Sequence, residues 1–203
     1  MTKKLIIVFT RNPELGKVKT RLAKTIGDES ALNIYRYLLK HTEKVISKID
    51  SDKAVYYSVS IRTNDLWSNS TYMKFEQDGD DLGQRMLNAF KKAFNDNYDK
   101  VLIVGSDLYD LDQNHIENAF NSLDSHDYVL GPAKDGGYYL LGMKFLNPKI
   151  FKNKSWGTDS VFKDTMNDLE YETVFLLQEL NDIDTYHDIK DNPTLKSFIL
   201  QND

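Results

Sequence analysis

The stretch Lys4-Leu5-Ile6-Ile7-Val8-Phe9-Thr10-Arg11-Asn12-Pro13-Glu14-Leu15-Gly16-Lys17-Val18-Lys19-Thr20-Arg21-Leu22 decides the fold class. Its first seven residues are β-branched and aromatic in an almost unbroken apolar run. A strand with one wet face alternates, so this run predicts a strand buried on both faces. Pro13 and Gly16 keep the next part irregular before a helix begins. A loop between a central strand and a helix can offer backbone N–H groups to an anion. Arg11, Lys19 and Arg21 could add charge-assisted hydrogen bonds to a diphosphate in such a loop, or stand as solvated surface cations.

Working outward, strand and helix patterns alternate. Leu32, Tyr35, Leu38, Leu39, Thr42, Val45, Ile46 and Ile49 recur at helical spacing behind Asp28, the expected N-cap. Strands are predicted at Ala54 to Val59 and Tyr72 to Glu76, a helix at Leu82 to Phe94, and a strand at Lys100 to Val104. Beyond these, 113–123, 158–169 and 193–201 read as helices, and 127–131, 137–143 and 173–177 as strands. This order predicts a three-layer α/β/α arrangement around a mostly parallel, mixed sheet, with ligands beyond the carboxyl ends of the strands. The 203 residues suit one domain, 1–203, and no repeat or linker divides them.

Composition excludes several classes. The chain is 40% hydrophobic and 28% charged, as in ordinary globular proteins. Its apolar runs are too short to cross a bilayer, and its start lacks the pattern of a secretory signal, so a cytoplasmic location is expected. Without cysteine it has no disulfide, thiolate metal site or cysteine nucleophile. The net charge of −5 is uneven: residues 1–24 hold seven Lys/Arg against one Glu, and the remainder 19 against 30. An island this small suits an anionic small molecule better than nucleic acid. His41, His115, His126 and His187 lack metal-ligand spacing, and the Walker loop, Gly-x-Gly-x-x-Gly and Gly-x-Ser-x-Gly patterns are missing.

Four further segments carry candidate chemistry. Gly105-Ser106-Asp107 ends a buried strand, where Asp107 could ligate Mg²⁺ or Mn²⁺, or simply cap a turn. Asp184 offers a second hard oxygen ligand from far along the chain, with Asp182 in reserve. In Gly131-Pro132-Ala133-Lys134-Asp135-Gly136-Gly137-Tyr138-Tyr139, Gly136 and Gly137 allow close approach to the main chain. Asp135 could orient or deprotonate an acceptor hydroxyl, or serve only an Asp-Gly turn. Gln77-Asp78-Gly79-Asp80-Asp81-Leu82-Gly83-Gln84-Arg85 could contact base and ribose through Gln77, Gly79 and Gly83, its acids serving equally as helix caps.

Taken together, Phe9 to Leu22, Gly79 to Met86, Gly105 to Leu111, Leu130 to Met143, Trp156-Gly157-Thr158 and Asp182 to Thr185 resemble the bacterial family rSAM/selenodomain-associated transferase 1, or DUF2064. Its members look like glycosyltransferases of the GT-A, nucleotide-diphospho-sugar transferase, fold. After Asp107 this chain has Leu108-Tyr109 where the family commonly has Cys-Pro. The resemblance implies metal-dependent chemistry on a sugar nucleotide, with Arg11, Lys19 and Arg21 near phosphates, Asp107 and Asp184 at the metal, and Gly136-Gly137-Tyr138 facing a small-molecule acceptor. Glycosyl transfer is the first expectation, with Lys19, Arg21 and Asp135 as its catalytic groups. Nucleotidyl transfer with release of pyrophosphate is the alternative, and an inactive nucleotide-binding module is a third.

Overall fold

Strand β1 (Lys4–Thr10) lies inside a seven-stranded sheet in the computed structural model, which describes residues 2–200. The chain continues through α1 (Thr20–Ile26), α2 (Asp28–Ile46), β2 (Asp52–Tyr57), β3 (Tyr72–Glu76), α3 (Leu82–Asn95) and β4 (Lys100–Val104). Then come α4 (Gln113–Ser122), β5 (Tyr128–Pro132), β6 (Tyr138–Met143), a 3₁₀ turn at Pro148–Phe151, α5 (Val161–Asp168), β7 (Val174–Leu176), α6 (Tyr186–Ile189) and α7 (Pro193–Lys196).

The strand order is β3-β2-β1-β4-β6-β5-β7, and β6 runs antiparallel to both of its neighbours. The other pairings are parallel, so the sheet is mostly parallel and mixed, as the alternating pattern predicts. The unbroken apolar run of β1 is explained by its two covered faces. Ile6 and Val8 pack with Tyr35 and Leu39 of α2 and with Ile116 and Phe120 of α4. Leu5 and Ile7 pack with Met86 and Phe90 of α3 and with Ile150 and Phe151. A smaller cluster joins Leu22 of α1 and Ile34 of α2 to Ile183, Ile189 and Leu195, which seats the C-terminal segment beside the β1 loop.

Several boundaries differ from the sequence expectation. The cap of α2 is Gly27, at φ 82° and ψ 157°, a conformation glycine adopts readily, and Asp28 is the first helical residue. There its charge still faces the helix dipole favourably. The helix ends at Ile46, and Ile49 is buried in the following turn. Strand β2 starts two residues early and stops at Tyr57. Lys53 enters it because its Nζ donates to the carbonyls of Ile49 and Ser51, satisfying the charge close to the backbone. Helix α5 starts at Val161, leaving Trp156-Gly157-Thr158 in a turn. The helix expected over 193–201 is the single turn Pro193–Lys196, with residue 201 outside the described residues. The 3₁₀ turn and α6 were not foreseen.

Candidate functional site

The site gathers at the carboxyl ends of β1, β4 and β5. Under it, the Tyr35 hydroxyl accepts from Arg11 N at 2.9 Å and lies 3.1 Å from Thr10 Oγ1 and 3.3 Å from Ser106 Oγ. That hub ties the ends of β1 and β4 together, and burial pushes the tyrosine hydroxyl's pKa up. Gln77 is a second tie: its Nε2 donates to Thr10 O at 3.2 Å and Tyr56 O at 3.0 Å. Both amide hydrogens of Gln77 therefore serve the sheet.

Lys19 turns the β1 loop into α1 at φ 49°, a left-handed conformation. Its Nζ meets Asp107 Oδ2 at 2.7 Å, with the lysine side chain only 6% exposed and the aspartate 35%. Burial works to lower the Lys19 pKa, but Asp107, with Asp184 and Asp182 behind it, holds it above the ordinary lysine value. Two residues on, Arg21 Nη1 lies 2.6 Å from Asp184 Oδ2, with the arginine 68% exposed. Cations from the start of the chain thus meet acids from its middle and end. Arg11 is exposed at the head of the loop, and among the described residues its side chain takes no hydrogen bond or ion pair. Gly16 turns the loop at φ 69°.

Beside this cationic rim is a cavity of about 180 Å³. Asp107, Asp135 and Asp182 are its acids, Tyr138, Tyr139 and Trp156 its aromatic rings, and Leu82, Met86 and Val161 add apolar surface. Asp182 is opposite Leu108 in an isolated antiparallel bridge, and Ile183 N donates to Asp107 O at 3.1 Å. Burial, then the neighbouring Asp107 and Asp135, push the Asp182 carboxyl up to about 6. Asp184 is not part of the cavity lining and stays with Arg21. Among the described residues no three His, Cys, Asp or Glu side chains form a ready metal cage.

Asp135 is exposed and accepts from Gly137 N at 2.9 Å, closing a small turn. Gly136, at φ 87°, packs against the 155–160 turn so closely that a Cβ there would lie 2.3 Å from Asp159 O. Tyr138 lines the cavity edge-on to Trp156, with ring planes at 89°. Gly83 is buried beneath Trp156, and a Cβ at Gly83 would come within 2.4 Å of the indole. Its role in the structure is to seat that ring. Gly79 accepts from Arg85 Nε at 2.9 Å through its carbonyl oxygen. Tyr35 and Trp156 were not singled out from the sequence. Trp156 stood within a quoted motif, whereas Tyr35 looked like any apolar helix position.

A central β1 loop, a cationic rim and an acidic cavity at the carboxyl edge of a mixed sheet define the nucleotide-diphospho-sugar transferase class of fold. The chain belongs to the family DUF2064, described as "Uncharacterized protein conserved in bacteria", whose model matches residues 41–158. It is similar to a solved structure from Desulfovibrio desulfuricans G20, described as a candidate nucleotide-diphospho-sugar transferase. The two share 32% identity with a TM-score of 0.85, over 98% of this chain and 94% of that one. The 4-diphosphocytidyl-2C-methyl-D-erythritol synthase of Anaerococcus prevotii DSM 20548 shares the fold, with a TM-score of 0.61 at 11% identity over 98% and 97% of the two chains. Among curated proteins, the 2-phospho-L-lactate guanylyltransferase of Methanocaldococcus vulcanius is 24% identical over 147 residues, or 70% of this chain and 63% of that protein. The chain therefore spans less than two thirds of the length of that relative.

Proposed function

We propose that residues 1–203 form one nucleotide-diphospho-sugar transferase-like domain that moves a nucleotidyl group from a nucleoside triphosphate to a small phosphorylated acceptor. The observation that carries this reading is the pair of contacts Lys19–Asp107 and Arg21–Asp184, which join cations of the β1 loop to hard oxygen ligands from the middle and end of the chain. The guanylyltransferase relatives support nucleotidyl transfer over the glycosyl transfer first expected from the sequence.

In the reaction, an acceptor phosphate oxygen attacks the α-phosphorus. A new P–O–P bond forms, the α–β bridging P–O bond breaks, and pyrophosphate leaves with the electron pair. Lys19 and Arg21 offset charge on the phosphates, with Arg11 and the backbone at Gly16 holding the outer end. Asp135 and the Gly136-Gly137-Tyr138 turn orient the acceptor. A divalent ion fits the donor set, since one or two carboxylates plus substrate phosphates suffice for Mg²⁺ or Mn²⁺. Asp107 would hold it together with Asp184 or with Asp182, which lines the same cavity, and when bound it would supply further charge neutralisation at the phosphates.

Glycosyl transfer is the second reading, favoured by the 32% identity to the candidate nucleotide-diphospho-sugar transferase. Pyrophosphate release across the nucleoside triphosphates, with phosphorylated acceptors, is the test, set beside consumption of sugar nucleotides. Pyrophosphate formation without sugar-nucleotide turnover is expected. The reverse result rejects nucleotidyl transfer, and tight nucleotide binding without either turnover leaves a binding module.

A further inference from the structure

Resting on the reading that a nucleotide's phosphates lie along the cationic rim, we infer that the adjoining cavity takes an uncharged, hydroxyl-bearing ring as the acceptor's body and turns away bodies that carry an acid group. The cavity, at about 180 Å³, lies under the roughly 300 Å³ at which pockets for whole ligands begin. It therefore receives one part of a ligand.

Its polar lining is one-sided. Asp107, Asp135, Asp182 and Thr158 line it, and no Lys, Arg or His does. The nearby buried cation, Lys19, is held on Asp107 at 2.7 Å and is outside the lining. Carboxylates only accept hydrogen bonds, so hydroxyl groups satisfy them and a second carboxylate repels them. A divalent ion on Asp107 and a neighbouring carboxylate still leaves Asp135, whose hydrogen-bond donor is the Gly137 N–H.

The apolar lining is equally specific. Trp156 is set in place by the missing side chain of Gly83 and is edge-on to Tyr138. The Tyr139 hydroxyl donates to Gln178 O at 3.1 Å, so that ring is also anchored. Flat, fixed aromatic surface suits the C–H face of a ring, while the carboxylates suit its hydroxyl edge. The 2-phospho-L-lactate in the names of the curated relatives has a carboxylate and no ring.

The test uses Trp67→Phe, which leaves Trp156 as the chain's one tryptophan. Trp67→Tyr replaces it if the first variant melts early. Glucose 1-phosphate and inositol 1-phosphate are titrated against 2-phospho-L-lactate and 3-phosphoglycerate with Mn²⁺ present, following Trp156 emission. Nucleotide binding to the same protein is measured by calorimetry. The ring phosphates are expected to bind about tenfold or more tightly than the acids, and Asp135→Asn is expected to narrow that gap by strengthening the acids. Acids binding as tightly as rings overturn the inference, as does emission that no probe changes. Ring preference without nucleotide binding overturns the functional reading and leaves the cavity's preference standing. Nucleotide binding without ring preference overturns the inference alone.

Discussion

The cationic rim and the cavity beside it share Asp107 but follow opposite electrostatic plans. On the rim, Lys19 and Arg21 are each paired with a carboxylate, so each cation is neutralised by an acid from a distant part of the chain. In the cavity, Asp135 and Asp182 form no ion pair with lysine or arginine among the described residues, and burial, followed by the charges of Asp107 and Asp135, raises the Asp182 carboxyl. One half is balanced and ready to exchange partners. The other is unbalanced, and a metal ion or hydroxyl donors would relieve it.

The sharpest break in this contrast comes at the group both halves share. Asp107→Ala leaves Lys19, 6% exposed, without its partner. Stability should fall by about 2 kcal/mol, below the range for a fully buried pair because Asp107 is partly solvated. Urea denaturation measures this loss, and calorimetry should show metal-dependent nucleotide affinity falling about hundredfold. Unchanged stability and binding would dissolve the link between the halves. Gly83→Ala acts on the cavity alone, since its Cβ falls 2.4 Å from the Trp156 ring. Overpacking should cost about 1–3 kcal/mol and shift tryptophan emission, with nucleotide affinity kept within about twofold. An unmoved emission spectrum would show that Trp156 is not seated as described.

A third expected effect is on pH dependence. With the Asp182 carboxyl at about 6 against an ordinary 3.8, the folded chain keeps a proton between those values that the unfolded chain has lost. Its contribution to stability is thus fully present below about pH 4 and lost as pH rises through about 6. Melting temperatures across that window should show the decline in wild type and a flatter profile in Asp182→Asn. Identical slopes would remove Asp182 from the acidic group.

How legible each half was in the sequence follows from how it is assembled. The rim is one contiguous stretch behind β1, so Arg11, Lys19 and Arg21 could be named together. β1, β3 and β4 match their expected limits; β1 and β4 are apolar at nearly every position after a leading lysine, whereas β3 mixes Tyr72, Met73 and Phe75 with Lys74 and Glu76. The cavity is assembled from separated segments around Leu82, Asp107, Asp135, Trp156 and Asp182, and no local pattern announces their meeting. Gly83 read as a ligand contact because an absent side chain looks the same whether a substrate or an indole fills the space. Gln77 read as a base contact because side-chain amides are common there. Its donors go instead to two strand-end carbonyls that only the folded sheet brings into reach.

The central claim is that nucleotide phosphates rest on the cations of the β1 loop. Calorimetric titration of a nucleoside triphosphate with Mn²⁺ into wild type and the Lys19→Met/Arg21→Met double variant tests it most directly, with circular dichroism confirming that the variant is folded. The account predicts measurable binding by the wild type and a loss of about hundredfold or more in the variant. Equal affinity in the two folded proteins would contradict it.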